Sequence, residues 1–224
     1  MLTFYKIPKP QMAAGVLARR LVAELAAKKR VLWLVSGGSN ITIEVAVMQA
    51  LPAALQPRLA VMLDERYGPF DHKDSNLRQL YEAGFAPGKA TVVPVLTPEH
   101  LPLEATAARY QAAAETAFDN ADVIIAQLGI GPDGHISGIL PGSQAVSAKG
   151  LVAGYRTEQF ERITFTFDAL KKCTAAYDFA FGEAKRGQLE TLRDKDVPLN
   201  EQPAQILKAI PEAYVYNDQI GDKV

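Results

Sequence analysis

The residues best able to do chemistry cluster in "QLGIGPDGHISGILPGS", residues 127–143, which sets His135 between an Asp-Gly pair and several glycines, directly after an apolar run. A neutral imidazole takes a proton from water near pH 7 without a large pKa shift, so His135 is a candidate general base. Gly129, Gly131 and Gly134 allow a tight turn and expose backbone N–H groups. The alternative is a histidine that merely fills a turn, and its placement in the fold decides between the two.

Other stretches carry complementary chemistry. In "VSGGSN", residues 35–40, Gly37 and Gly38 let the backbone approach a ligand, with Ser36 and Ser39 beside them. Ser39 or Asn40 can cap the following helix and leave its first N–H groups facing an anion. The stretch is neither a Walker A loop nor a dinucleotide fingerprint, and a plain strand-helix turn is the competing reading. "LDER", residues 63–66, ends a strand in three charges, where Asp64 and Glu65 can hold a hydroxyl and Arg66 offers a forked donor set to a phosphate oxygen. Lys185 in "GEAK" falls in a first helical turn, where a cation opposes the helix dipole unless an anion is near. Arg162 in "RIT" is a rim cation or a plain edge charge. Asp71, His72 and Asp74 in "DHKDSN" read as solvated loop charges rather than a metal site, and His100 as ordinary surface.

These residues need a scaffold, and the chain supplies strands alternating with Ala/Leu-rich helical segments. "LTFYKI", "RVLWLVSGG", "PRLAVMLDER", "ADVIIAQLGIG", "RITFTFDAL", "AAYDFAFG" and "EAYVYND" read as strands. "QMAAGVLARRLVAELAAKK", the segment from Asn40 to Leu51, "SNLRQLYEAG", "LEATAARYQAAAETAFD", "EAKRGQLETLR" and "PAQILKAI" read as helices, with Gly84 a helix stop. The expectation is an α/β fold: a mostly parallel central sheet with helices on both faces, a Rossmann-like three-layer sandwich, and one small additional set of strands. "ADVIIAQLGIG" is apolar throughout and so belongs at the centre. Three strands then end in "SGGSN", "DERYGP" and "GIGPDGHISG", at the sheet edge where such folds bind ligands.

Composition narrows the partner. A chain of 224 residues with 48% hydrophobic and 22% charged content is long enough for one domain spanning 1–224. Its formal net charge of −1 gives no pull toward nucleic acid or anionic membrane, so a small molecule is the default partner. The single cysteine, Cys173, excludes an intramolecular disulfide, and the N-terminus lacks the pattern of a secretory leader. Cytoplasmic residence is the resulting expectation.

Taken in order, "SGGS", "DER" with the downstream Ser75-Asn76, "GPDGHISGILPGS", "RIT" and "GEAK" resemble the motifs of the 6-phosphogluconolactonase family. The tail "QPAQILKAIPEAYVYND" is similar as well, so the resemblance covers nearly the whole chain. It implies hydrolysis of 6-phospho-D-glucono-1,5-lactone with no cofactor and no metal, by a monomer or weak homo-oligomer. It implies His135, Asp64 and Asp133 as the catalytic group. It implies Ser36, Gly37, Gly38, Ser39, Arg66, Asn76, Gly131, Arg162 and Lys185 as the residues that bind substrate and phosphate. Two departures stand out: Asn40-Ile41 where the family has Thr-Pro, and Ile-Ser-Gly-Ile-Leu after the histidine in place of Thr-Ala-Ser-Leu-Phe. The related glucosamine-6-phosphate deaminases share "DGHI" but carry a functional glutamate where this chain has Leu140, which cannot relay a proton. A deaminase-like enzyme and a non-catalytic sugar-phosphate binder are the alternatives.

Overall fold

The computed structural model describes residues 1–222. Its first half runs β1 (Leu2–Lys6), α1 (Pro10–Ala26), β2 (Val31–Val35), α2 (Ile41–Gln49), β3 (Leu59–Leu63), β4 (Glu65–Arg66), α3 (Asn76–Glu82) and β5 (Thr91–Val92). The second half runs α4 (Leu103–Asn120), β6 (Val123–Leu128), β7 (Val152–Arg156), β8 (Glu161–Phe165), α5 (Phe167–Leu170), β9 (Ala175–Ala180), α6 (Arg186–Asp194) and β10 (Glu212–Asn217).

Seven strands form one sheet in the order β1-β10-β9-β6-β2-β3-β5, and every pairing in it is parallel. β4, β8 and β7 form a separate antiparallel sheet, the expected small set of strands. β6 is central, and all residues of β2, β6 and β9 are buried, as a parallel sheet covered on both faces requires. Strand alternation divides the core. Trp33, Val61, Ile125 and Phe179 pack with α1 and α2 on one face; Leu34, Met62, Ala126 and Ala176 pack with α4 on the other.

Several boundaries differ from the sequence reading. "LAVMLDER" is two strands, because β5 pairs only Ala60 and Val61 and leaves the end of β3 without a neighbour on that side. The Tyr110 hydroxyl of α4 fills the gap, donating to the Leu63 carbonyl (2.8 Å) and accepting its N–H (3.0 Å). The chain then turns at Asp64 and pairs β4 with β8. "RITFTFDAL" stops being strand at Phe165, since the Thr166 side chain accepts the Ala169 N–H and starts α5. α2 and α6 are each preceded by a 3-10 turn, Gly38–Asn40 and Glu183–Lys185. Asn40 does not cap α2; its side-chain amide donates to the Leu128 carbonyl (2.8 Å), tying that helix to the end of β6. α3 follows the reading closely, with Ser75 capping it through the Arg78 N–H and Gly84 ending it at φ +96°. Among the described residues no helix is long and apolar enough to cross a membrane.

Candidate active site

β9, β6, β2 and β3 are adjacent in the sheet, and the loops leaving their carboxyl ends carry Lys185, His135, the glycine-serine turn and Asp64. These loops enclose a cleft of about 210 Å³. Of the residues that the family resemblance implies for catalysis or binding, all line it except Asp133. Asp133 lies immediately behind, its Oδ1 accepting hydrogen bonds from His135 Nδ1 (2.6 Å) and the His135 backbone N–H (3.1 Å). An ionised carboxylate can only accept, so Nδ1 carries the proton and the lone pair of the neutral ring sits on Nε2. The same hydrogen bond holds the Asp133 carboxyl below the usual carboxylate range.

The histidine loop is braced from within. The Gly131 N–H donates to the His135 carbonyl (2.9 Å), and the Gly134 N–H to the Gly131 carbonyl (3.0 Å). The Gly138 N–H donates to Thr164 Oγ1 (2.9 Å). These three N–H groups are therefore committed and are not free to meet an oxyanion. Those of Gly38 and Ser39 open a 3-10 turn and precede its first internal hydrogen bond, and both residues line the cleft. Gly131 cannot be anything larger: a Cβ there would stand 2.1 Å from His135 Nδ1 and 2.6 Å from Asp133 Oδ1. Gly131→Ala is thus expected to push the imidazole aside and lower turnover by about 10²-fold. Its melting temperature should stay near that of the wild type, because the displaced ring is partly exposed; a large fall in melting temperature would refute this account.

The glycine-serine turn rests on buried polar supports. Glu44 accepts the Ser36 N–H (2.9 Å), and its burial raises its carboxyl well above the ordinary value. Asn76 packs so tightly that a Cβ on Gly37 would stand 2.2 Å from its Oδ1, while its Nδ2 donates to the Asp64 carbonyl (2.9 Å). Asn76 thereby joins the loops after β2 and β3.

The three charges of "DER" have three destinations. Asp64 is buried at the cleft floor, where desolvation, and secondarily the Glu65 charge, push its carboxyl up to about 6 against the pull of Arg162. Glu65 does not face the cleft. It accepts the N–H groups of Arg66 (2.8 Å), Asn76 and Leu77 (3.2 Å) and the Ser75 hydroxyl (2.8 Å), so it secures the start of α3. Arg66 reaches the cleft with one nitrogen on the Asp74 carbonyl (3.2 Å). His72 Nε2 donates to the Arg66 carbonyl (2.9 Å), a loop-bracing role. Among the described residues no group of three or more His, Cys, Asp or Glu side chains is arranged to hold a metal ion.

Some residues escaped the sequence reading. Asp178 lies fully buried in β9, and neither carboxylate oxygen makes a hydrogen bond of ordinary geometry. Burial pushes its carboxyl up to about 7, with the charges of Lys185 and His135 opposing. Its signal in the sequence was an aspartate inside the apolar run "AAYDFA". Ser137 lines the cleft with a left-handed backbone (φ +51°) and its Oγ 3.2 Å from Thr164 Oγ1; no sequence pattern marked it. Leu140 packs against the core and puts no carboxylate into the cleft.

Residues 10–215 match a family described as glucosamine-6-phosphate isomerases/6-phosphogluconolactonase. A 6-phosphogluconolactonase of Homo sapiens is 28% identical over 210 residues, 87% of this chain and 81% of the relative. Two crystal structures of proteins named 6-phosphogluconolactonase share the fold. That from Thermotoga maritima has a TM-score of 0.82 at 22% identity, covering 97% of this chain and 99% of the other. That from Shewanella baltica has a TM-score of 0.79 at 21% identity, covering 97% and 98%. With the profile running from α1 to the last strand, through every loop of the cleft, the chain belongs to the family of glucosamine-6-phosphate isomerases and 6-phosphogluconolactonases.

Proposed function

We propose that this chain hydrolyses 6-phospho-D-glucono-1,5-lactone to 6-phosphogluconate, with His135 as general base. The observation that carries the proposal is the imidazole tethered through Nδ1 to Asp133, which leaves Nε2 for a cleft where Arg66, Arg162 and Lys185 converge. Nε2 takes a proton from water as the water oxygen attacks the lactone carbonyl carbon. The tetrahedral oxyanion is met by the Gly38 and Ser39 N–H groups, and its collapse breaks the bond to the ring oxygen. The imidazolium returns its proton to that oxygen, which becomes the hydroxyl of the open acid. Asp64 holds a sugar hydroxyl, and the cations orient the ring through its phosphate.

Leu140 favours hydrolysis over amine release, because no carboxylate stands there to serve ring opening. The test is an assay of the purified chain on the lactone, corrected for spontaneous opening, beside an assay for ammonia released from glucosamine 6-phosphate. Lactone opening without ammonia is expected; ammonia release with no lactone opening overturns the reading.

Arg66→Ala and Lys185→Ala should each raise KM by about 10- to 100-fold, the range of one charge-assisted hydrogen bond, with kcat changed little. Phosphate contacts far from the reacting carbon act alike on ground and transition states. Unchanged KM in both variants refutes the phosphate assignment.

A further inference from the structure

Arg66 on β4 and Arg162 on β8 stand directly opposite one another in the antiparallel register. Like charges in that relation repel, and a sheet does not place them there without a compensating partner. Both line the cleft, and both have a buried Nε with no hydrogen-bond partner. Among the described residues neither makes an ion pair with a carboxylate. What they share is a ring. The Cζ of Arg66 lies over the Phe160 ring at 5.1 Å from its centroid, and that of Arg162 at 5.6 Å.

Phe160 is itself fixed by the turn that joins β7 to β8. Its N–H donates to Thr157 Oγ1 (2.9 Å), and its carbonyl accepts the Thr157 N–H (2.9 Å) and hydroxyl (2.6 Å). It is half-buried and does not line the cleft. The electron-rich face of one phenyl ring thus attracts two guanidinium groups that would otherwise swing apart.

We propose that Phe160 is a positioning residue of the phosphate subsite, holding Arg66 and Arg162 side by side so that their remaining N–H groups together take a phosphate dianion. The inference rests on the reading of the cleft as a phosphosugar site. It adds that the subsite's geometry is set from outside the cleft, by the β7–β8 turn.

The variants are Phe160→Leu and Phe160→Met, which keep apolar bulk without the ring, and Phe160→Tyr, which keeps the ring. For the first two, KM for the phosphorylated lactone should rise about tenfold, with kcat within about twofold of wild type. Competitive inhibition by inorganic phosphate should weaken by the same factor, while kcat/KM for unphosphorylated glucono-1,5-lactone stays unchanged. Phe160→Tyr should restore both quantities. Wild-type KM and phosphate inhibition in the Leu and Met variants overturn the proposal, and so does an equal loss on the two lactones, the sign of general damage. Calorimetric titration with inorganic phosphate separates this inference from the reading beneath it. A wild-type chain that binds phosphate but opens no lactone overturns the lactonase reading alone. Equal phosphate affinity in wild type and Phe160→Leu overturns the role of Phe160 alone.

Discussion

Replacing His135 with alanine is expected to lower turnover of the phosphorylated lactone by about 10²- to 10⁴-fold, the usual contribution of a positioned general base. KM should change little, because the cleft-lining cations proposed to orient the phosphate are untouched. The expectation follows from geometry: the 2.6 Å bond from Nδ1 to Asp133 fixes the tautomer, so that a single nitrogen, Nε2, is presented to water. Removing the imidazole leaves the oxyanion donors and the binding groups, which is why residual turnover above the spontaneous rate should survive. The measurement is a single-turnover assay corrected for spontaneous ring opening. Turnover within a few-fold of wild type would mean that water is activated elsewhere, with Asp64, pushed up to about 6, the next candidate.

Asp178→Asn is expected to change stability in a pH-dependent way. Burial raises this carboxyl from its ordinary 3.8 to about 7 in the folded chain, so between those values the folded state holds a proton that the unfolded state has released. Stability contributed by the group is therefore fully present below about pH 4, falls as pH rises toward 7, and stays at its lowest above that. Each tenfold change in proton affinity is worth about 1.4 kcal/mol, so the wild-type loss across the window is at most about 4 kcal/mol. Asparagine has no such slope, but its amide needs partners that an apolar strand does not supply, which offsets about 1–3 kcal/mol of the gain. A net stabilisation of about 1–3 kcal/mol at pH 8, turning into a net destabilisation of about 1–3 kcal/mol near pH 4, is the expected outcome of denaturant titrations. Identical pH slopes in the two proteins would contradict it.

Strands buried on both faces are plain in the sequence. "VLWLV", "VIIAQL" and "AAYDFA" have no other place to go than the middle of a covered parallel sheet, and the loops after them inherit their position from that fact. The residues facing the cleft are legible for the same reason: glycine, serine, histidine and paired charges at the ends of such strands have few structural reasons to be there. Other features depend on contacts distant in sequence. The division of "LAVMLDER" is decided by Tyr110, some fifty residues on, and by the brevity of β5. β7 leaves no signal because "VAGYR" is half-exposed and contains a glycine, so it carries neither a clear alternation nor a continuous apolar run. Glu65 resembles a ligand group in the sequence because nothing local announces that three donors lie ready for it at the start of α3. Phe160 passes for a plain turn residue because its stacking with Arg66 joins two segments distant in sequence and leaves no periodic trace.

The divided strand carries an evolutionary consequence. Asp64, Glu65 and Arg66 are successive, yet Asp64 faces the cleft floor, Glu65 secures a helix and Arg66 lines the cleft from the second sheet. Because side chains alternate with a period of two, a one-residue deletion there would move each side chain into its neighbour's destination. With a residue lost ahead of Glu65, Arg66 would take the helix-securing place and Tyr67 the cleft-lining place that Arg66 now holds. Length at this joint is consequently far more tightly constrained than residue identity, and drift in this protein should proceed there by substitution while indels accumulate in the outer turns.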